Sequence, residues 1–284
     1  MKPSLSLHSH LVAAVLLAAV ALPSTSAVAQ TTDSALNAAQ VERINAAAAQ
    51  RMLSQRMAKA YVMGVLGVNP AQSGEILAAS VRQFKANAAL LRAANLPPET
   101  QRLIALVETQ ATPMLTAAAA APAKESVAAV IKSSEETLAA AETAVRAMPA
   151  LTIPGASLIV LAGRQRMLSQ RAAKYFLLYQ TGNKTPEVRA AYEKSMRDFE
   201  AVQREFSAMS DEFPGIRDNL ELASVQMDFF KTAARSIDAP TDAQKTTVAR
   251  SSERVLETMD EMVKEIATKF TAKEGVAPAA AKKR

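Results

Sequence analysis

The chain has 284 residues, a formal net charge of +6, 49% hydrophobic and only 4% aromatic residues, with no Trp and no Cys. Disulfides and thiol chemistry are excluded, and since the two histidines, His8 and His10, sit at the extreme N-terminus, the remainder lacks the residues for His/Cys zinc sites and for Ser-His-Asp or Cys-His nucleophiles. A core without Trp has to be packed from Ala, Leu, Val, Ile and Met, which suits close helix packing.

Residues 1–29 read as a secretory signal: Lys2, an apolar run over 11–22, and Ala27-Val28-Ala29 before Gln30. Cleavage after Ala29 would deliver a protein to the periplasm. Beyond it no run approaches the roughly 18 apolar residues of a membrane-spanning helix. The best candidate, over 151–163, stops at Arg164.

From residue 30 the Ala-rich, Gln/Glu/Lys/Arg-rich sequence has helical periodicity and no strand alternation, which predicts an all-α fold. Breaks are expected at Gly67-Val68-Asn69-Pro70, Asn95-Leu96-Pro97-Pro98, Ala121-Pro122 and residues 148–155. They recur at Thr181-Gly182-Asn183, Phe213-Pro214-Gly215 and Asp238-Ala239-Pro240. Helices of about 22 to 33 residues follow, grouped as two antiparallel four-helix bundles, with a kink at Pro113 in the third helix. The Ala/Pro/Lys-rich tail over 274–284 is expected to be disordered.

The two bundles are copies. Gln50-Arg51-Met52-Leu53-Ser54-Gln55-Arg56 recurs without change as Gln165-Arg166-Met167-Leu168-Ser169-Gln170-Arg171. Ile44, Ala47, Ala58 and Lys59 match Ile159, Ala162, Ala173 and Lys174, and Ser133-Ser134-Glu135 matches Ser251-Ser252-Glu253. This divides the chain into repeats over 30–149 and 150–273, a period far longer than those of solenoid proteins.

At 100° per residue, Ile44, Ala47, Ala48, Arg51, Gln55, Ala58 and Val62 share one stripe with Arg51 at its centre, and Ile159, Ala162, Gly163, Arg166, Gln170, Ala173 and Leu177 repeat it around Arg166. A second apolar stripe carries Leu53, Met57 and Ala60. An unpaired buried guanidinium costs several kcal/mol. Yet residues 43–74 and 143–186 contain no acid at all. Two readings remain open. The arginines pair with acids on other helices, such as Glu108, Glu135 or Glu142 and Glu221, Glu253 or Asp260; or they face an anion, the complement of paired guanidinium forks. The same heptapeptide preserved in otherwise diverged repeats favours the second, although Met52 and Leu53 read as core and Ser54 as bonded back to its own helix.

Ala162-Gly163-Arg164-Gln165-Arg166-Met167-Leu168-Ser169-Gln170-Arg171, followed by Ala173-Lys174, resembles the signature of the PilJ-type domain, the N-terminal sensor domain of type IV pili methyl-accepting chemotaxis transducers. The first copy has Ala48 in place of the Gly. The pattern is also similar to the motif helix of nitrate/nitrite sensor kinases of the NarX type, where the arginine of Arg-Met from each of two helices binds the anion. The resemblance implies a small-anion site, for nitrate, nitrite or a small carboxylate, with Arg51 and Arg166 at its centre and Ser54, Gln55, Arg56, Ser169, Gln170 and Arg171 around it. It implies no cofactor and no metal.

Receptors of this kind continue into a membrane helix and a signalling module, whereas this sequence stops after its second bundle. The expectation is an exported binding protein that presents its ligand to a membrane receptor or kinase, alone or as a homodimer; the alternative is a ligand-free helical scaffold of the cell envelope. Catalysis is not expected, because the acid-free motif helices offer no carboxylate pair and the sequence after residue 29 offers no His or Cys. Nucleic acid is excluded as a partner by compartment and by the lack of aromatics among the basic residues.

Overall fold

A computed structural model describes residues 38–152, 155–209 and 214–271. The expected signal sequence over 1–29 and the expected disordered tail over 274–284 lie outside the described residues. Within them the chain is helical, with no strand: α1 (Ala38–Leu66), α2 (Pro70–Ala93), α3 (Pro98–Ala117), α4 (Val127–Arg146), α5 (Ala156–Gln180), α6 (Pro186–Met209), α7 (Pro214–Ala234) and α8 (Asp242–Thr271). Short 3₁₀ turns at Lys124–Ser126 and Pro149–Thr152 precede α4 and α5. No helix among the described residues is long and apolar enough to cross a membrane.

Local chemistry places the boundaries. Four helices begin with proline, at Pro70, Pro98, Pro186 and Pro214, where a missing N–H costs nothing and the fixed φ suits a first turn. The end of α1 is closed by Gly67 at φ 67°, with Val68 N–H donating to Met63 O at 2.9 Å and Gly67 N–H to Gly64 O at 3.2 Å, a Schellman motif. Its counterpart after α5 is Gly182 at φ 99°. α3 runs on through Pro113, as its sequence required, but its ladder opens there: Met114 N–H donates to Ser133 Oγ at 3.3 Å, and that hydroxyl donates to Gln110 O at 2.6 Å. An α4 side chain thus bridges the interrupted turn.

The repeats lie side by side, related by a pseudo-twofold axis. α1 packs along α5, and each also packs against two helices of its own repeat, α1 on α2 and α4 and α5 on α6 and α8; α3 and α7 complete the pairs with α4 and α8. Consequently α1 is buried without interruption over residues 46–55 and 57–63, and α5 over 165–170 and 172–179. Two apolar stripes understate this: helices surround the motif segment. One apolar core, reaching from Val41 to Ile266, runs through both repeats, beside a smaller cluster in the first. Each fully buried Leu, Ile, Phe or Met in it contributes about 1.5–3 kcal/mol, so neither repeat is complete without the other.

Small residues bring α1 and α5 together. A Cβ on Gly163 would lie 2.9 Å from Ala48 Cβ and 3.0 Å from Arg51 Nη2. The Ala-Gly pair of the second motif therefore sets the helix separation and leaves space for a guanidinium.

Candidate functional site

Arg51 and Arg166 meet at this crossing. Both are almost fully buried, at 1% and 2% exposure. Their Nη2 atoms lie 3.0 and 3.6 Å from the same point, the position a Cβ on Gly163 would take. Their contacts obey the pseudo-twofold. Arg51 donates to both oxygens of Glu142 on α4 at 3.2 Å and to Val160 O on α5 at 3.1 Å. Arg166 donates to Asp260 on α8 at 2.5 Å and to Asn45 Oδ1 on α1 at 2.7 Å. Burial pushes the Arg51 pKa below its ordinary value, Glu142 works against that, and the neighbouring Arg166 and Arg164 add to it.

The sequence places Glu142 and Asp260 among the acids within reach, and they are the partners. Both stay open to water, with side-chain exposures of 29% and 44%. The guanidiniums are not equally satisfied: Arg166 Nε is buried and has no hydrogen-bond partner among the described residues. Arg166 and Asp260 also form part of the wall of a cleft of about 1230 Å³ between α1, α2, α7 and α8, whose lining does not include Arg51.

The other expected site residues frame this pair. Ser54 and Ser169 donate to the carbonyls of Arg51 and Arg166, at 2.8 and 2.9 Å. Gln55 donates to Ser134 O at 2.9 Å, and Gln170 to Ser252 O at 2.8 Å. The Oε1 atoms of Gln50, Gln55, Gln165 and Gln170 are buried without partners among the described residues, so both copies of the motif leave the same acceptors open.

Arg56 and Arg171 reach into the opposite repeat, and sequence reasoning did not assign their partners. Arg56 and Lys59 converge on Glu253, with Lys59 Nζ 2.5 Å from its carboxylate and 3.0 Å from Ser252 Oγ. Arg171 and Lys174 converge on Glu135, with Lys174 Nζ at 2.6 Å and 3.1 Å from Ser134 Oγ. Burial alone would raise both glutamates, but the lysine and arginine on each outweigh it and hold the carboxyls at about 2. Burial lowers Lys174 to about 8 against the pull of Glu135, and lowers Lys59 likewise. The duplicated Ser-Ser-Glu was the available signal, since it repeats with the motif and carries the opposite charge.

The site thus holds two fixed guanidiniums side by side, each paired with a part-exposed carboxylate. It offers no group of three or more His, Cys, Asp or Glu suited to a metal among the described residues. Comparison with known proteins gives one family: the model for the type IV pili methyl-accepting chemotaxis transducer N-terminal domain, PilJ, matches twice, over residues 30–145 and 154–281. No curated protein and no solved structure matches.

Proposed function

Because the chain belongs to the PilJ family, the N-terminal domain of type IV pili methyl-accepting chemotaxis transducers, and carries that domain twice, we propose that it is an exported periplasmic sensory protein whose repeats share one anion site at the α1–α5 crossing. The domain is a chemotaxis sensory module with a signalling rather than catalytic role. In this reading residues 1–29 are the export signal, 30–149 and 150–273 the two repeats, and 274–284 a tail.

Nitrate, nitrite or a small carboxylate would sit between Arg51 and Arg166, with Asp260 or Glu142 turned out to solvent. Ser54, Gln55, Ser169 and Gln170 would hold the motif helices in register, and Arg56 and Arg171 would hold the repeats together. A membrane receptor or kinase would read the liganded state. The observation that carries this is the unpartnered Nε of Arg166, a buried charged group one bond short beside a second guanidinium.

Calorimetric titration with nitrate, nitrite and acetate tests it. Binding should weaken roughly 10- to 100-fold in Arg166→Gln, because charge-assisted hydrogen bonds contribute about 1.5–3 kcal/mol. Unchanged binding in that variant would remove the site.

One observation favours a second reading. Glu142 and Asp260 already neutralise both arginines, as a ligand-free scaffold would require. A thermal-shift screen separates the two, since only a ligand that binds the folded state raises its midpoint.

A further inference from the structure

The cleft in front of Arg166 is far larger than a small inorganic anion needs. At about 1230 Å³ it exceeds the roughly 300–1,000 Å³ of pockets that enclose a drug-sized molecule, so a nitrate bound at its wall would leave nearly all of it to solvent.

Apart from Arg166 the wall carries the carboxylates Glu42, Glu257, Asp260 and Glu261, the cations Arg56, Arg254 and Lys264, and amide and apolar side chains. Asn219 and Gln226 of α7 face the cleft half-buried, and neither side chain bonds to another described residue. Seven residues apart, they stand about 10 Å from each other along the helix. That is the length of about three residues of extended chain. Each offers both donors and an acceptor, the set a peptide backbone requires. Leu222 lies between them, also on the cleft wall and 50% exposed.

The other cations of the wall are engaged: Arg56 by Glu253, Arg254 by Glu257 and Lys264 by Glu261. Anion recognition therefore falls to Arg166, which is nine-tenths buried, has an open Nε, and holds a carboxylate already exposed at its far side.

We propose that this cleft binds a short extended peptide, with a peptide carboxylate on Arg166 in place of Asp260, the backbone on the amides of Asn219 and Gln226, and a side chain against Leu222. This rests on the reading of Arg166 as an anion receptor and adds to it the class of ligand. It also makes the second repeat's arginine, not the first's, the one that ligand reaches.

The test titrates the full chain with acetyl-tetraalanine bearing a free C-terminal carboxylate, with its C-terminal amide, with an amidated peptide carrying one internal Asp, and with acetate. The free-carboxylate peptide should bind at least tenfold tighter than acetate. The amidated tetraalanine should lose that gain, and the Asp peptide shows whether a side-chain carboxylate substitutes for the terminus. Asn219→Ala with Gln226→Ala, both at half-exposed positions that the fold does not need, should weaken the peptide more than tenfold and leave acetate unchanged. Equal affinity for peptide and acetate, or full peptide binding in the double variant, overturns the peptide site. In that event acetate binding that weakens in Arg166→Gln still upholds the anion site. Peptide binding undiminished in Arg166→Gln overturns both, as does no binding of any probe.

Discussion

Lys59 of the first repeat and Glu253 of the second form an ion pair of 2.5 Å, and the lysine is fully buried. Its symmetry mate, Lys174 with Glu135, repeats it at 2.6 Å in the opposite direction. Each repeat thus supplies the counter-charge that the other needs.

Glu253→Gln leaves Lys59 and Arg56 without their carboxylate. Breaking one partner of a buried pair costs about 3–5 kcal/mol, because a charge remains in a site that cannot hydrate it. Chemical denaturation should show a loss of that size. Adding Lys59→Met should recover much of it, since the lysine's stranded charge is then gone.

Gly163→Ala places a Cβ within 2.9 Å of Ala48 Cβ and 3.0 Å of Arg51 Nη2. Helix propensity alone would favour alanine by about 1 kcal/mol, yet the clash decides the sign, and we expect a net loss of about 1–3 kcal/mol. Combined with Ala48→Gly the loss should shrink, because the two positions share one contact. A double-mutant cycle in denaturant measures that coupling.

Acid should unfold the protein through Glu135 and Glu253. Both carboxyls are held at about 2 against an ordinary 4.5, so the folded state binds their protons less readily than the unfolded chain. Their contribution is present above about 4.5 and disappears as pH falls toward 2, on the order of 3 kcal/mol for each. Lys174 acts in the same sense on the alkaline limb. With its pKa lowered to about 8 from 10.5, the folded state releases this proton first, so its own contribution rises between those values. Denaturation midpoints from pH 7 to 2 should fall below about 4.5, and less steeply in Glu135→Gln with Glu253→Gln, which starts less stable.

Asp260→Asn removes the carboxylate that competes for Arg166, and should raise nitrate or acetate affinity several-fold in calorimetry. Glu142→Gln should raise it as well, since an anion between the two arginines also meets Arg51. An effect confined to Asp260→Asn would mean that the anion reaches Arg166 alone, from the cleft.

The helices and their limits were legible because Pro and Gly punctuate this sequence at backbone positions that admit little else. Arg51 and Arg166 could be found by angle, since a guanidinium centred on an apolar stripe is anomalous by itself, and the acids on the other helices gave a short set of partners containing the right ones. The exchange of Arg56, Lys59, Arg171 and Lys174 between repeats is not legible in the sequence. Angular placement tells which way a side chain leaves its helix, not which helix lies opposite, and α1 and α5 have neighbours on every side. The cleft was equally out of reach, since it depends on the separation of α2 from α7, two helices of different repeats with no shared motif.

Arg51 meets the backbone oxygen of Val160, whereas Arg166 meets the side chain of Asn45. Were the repeats separate identical subunits, any change of the residue facing one arginine would also appear at the other, and a favourable polar contact on one side would have to be tolerated on both. Joining them in one polypeptide dissolves that constraint. Asn45 and Val160 can vary alone, so one face can be shaped for recognition while the other keeps the molecule together, a division of labour closed to a symmetric dimer.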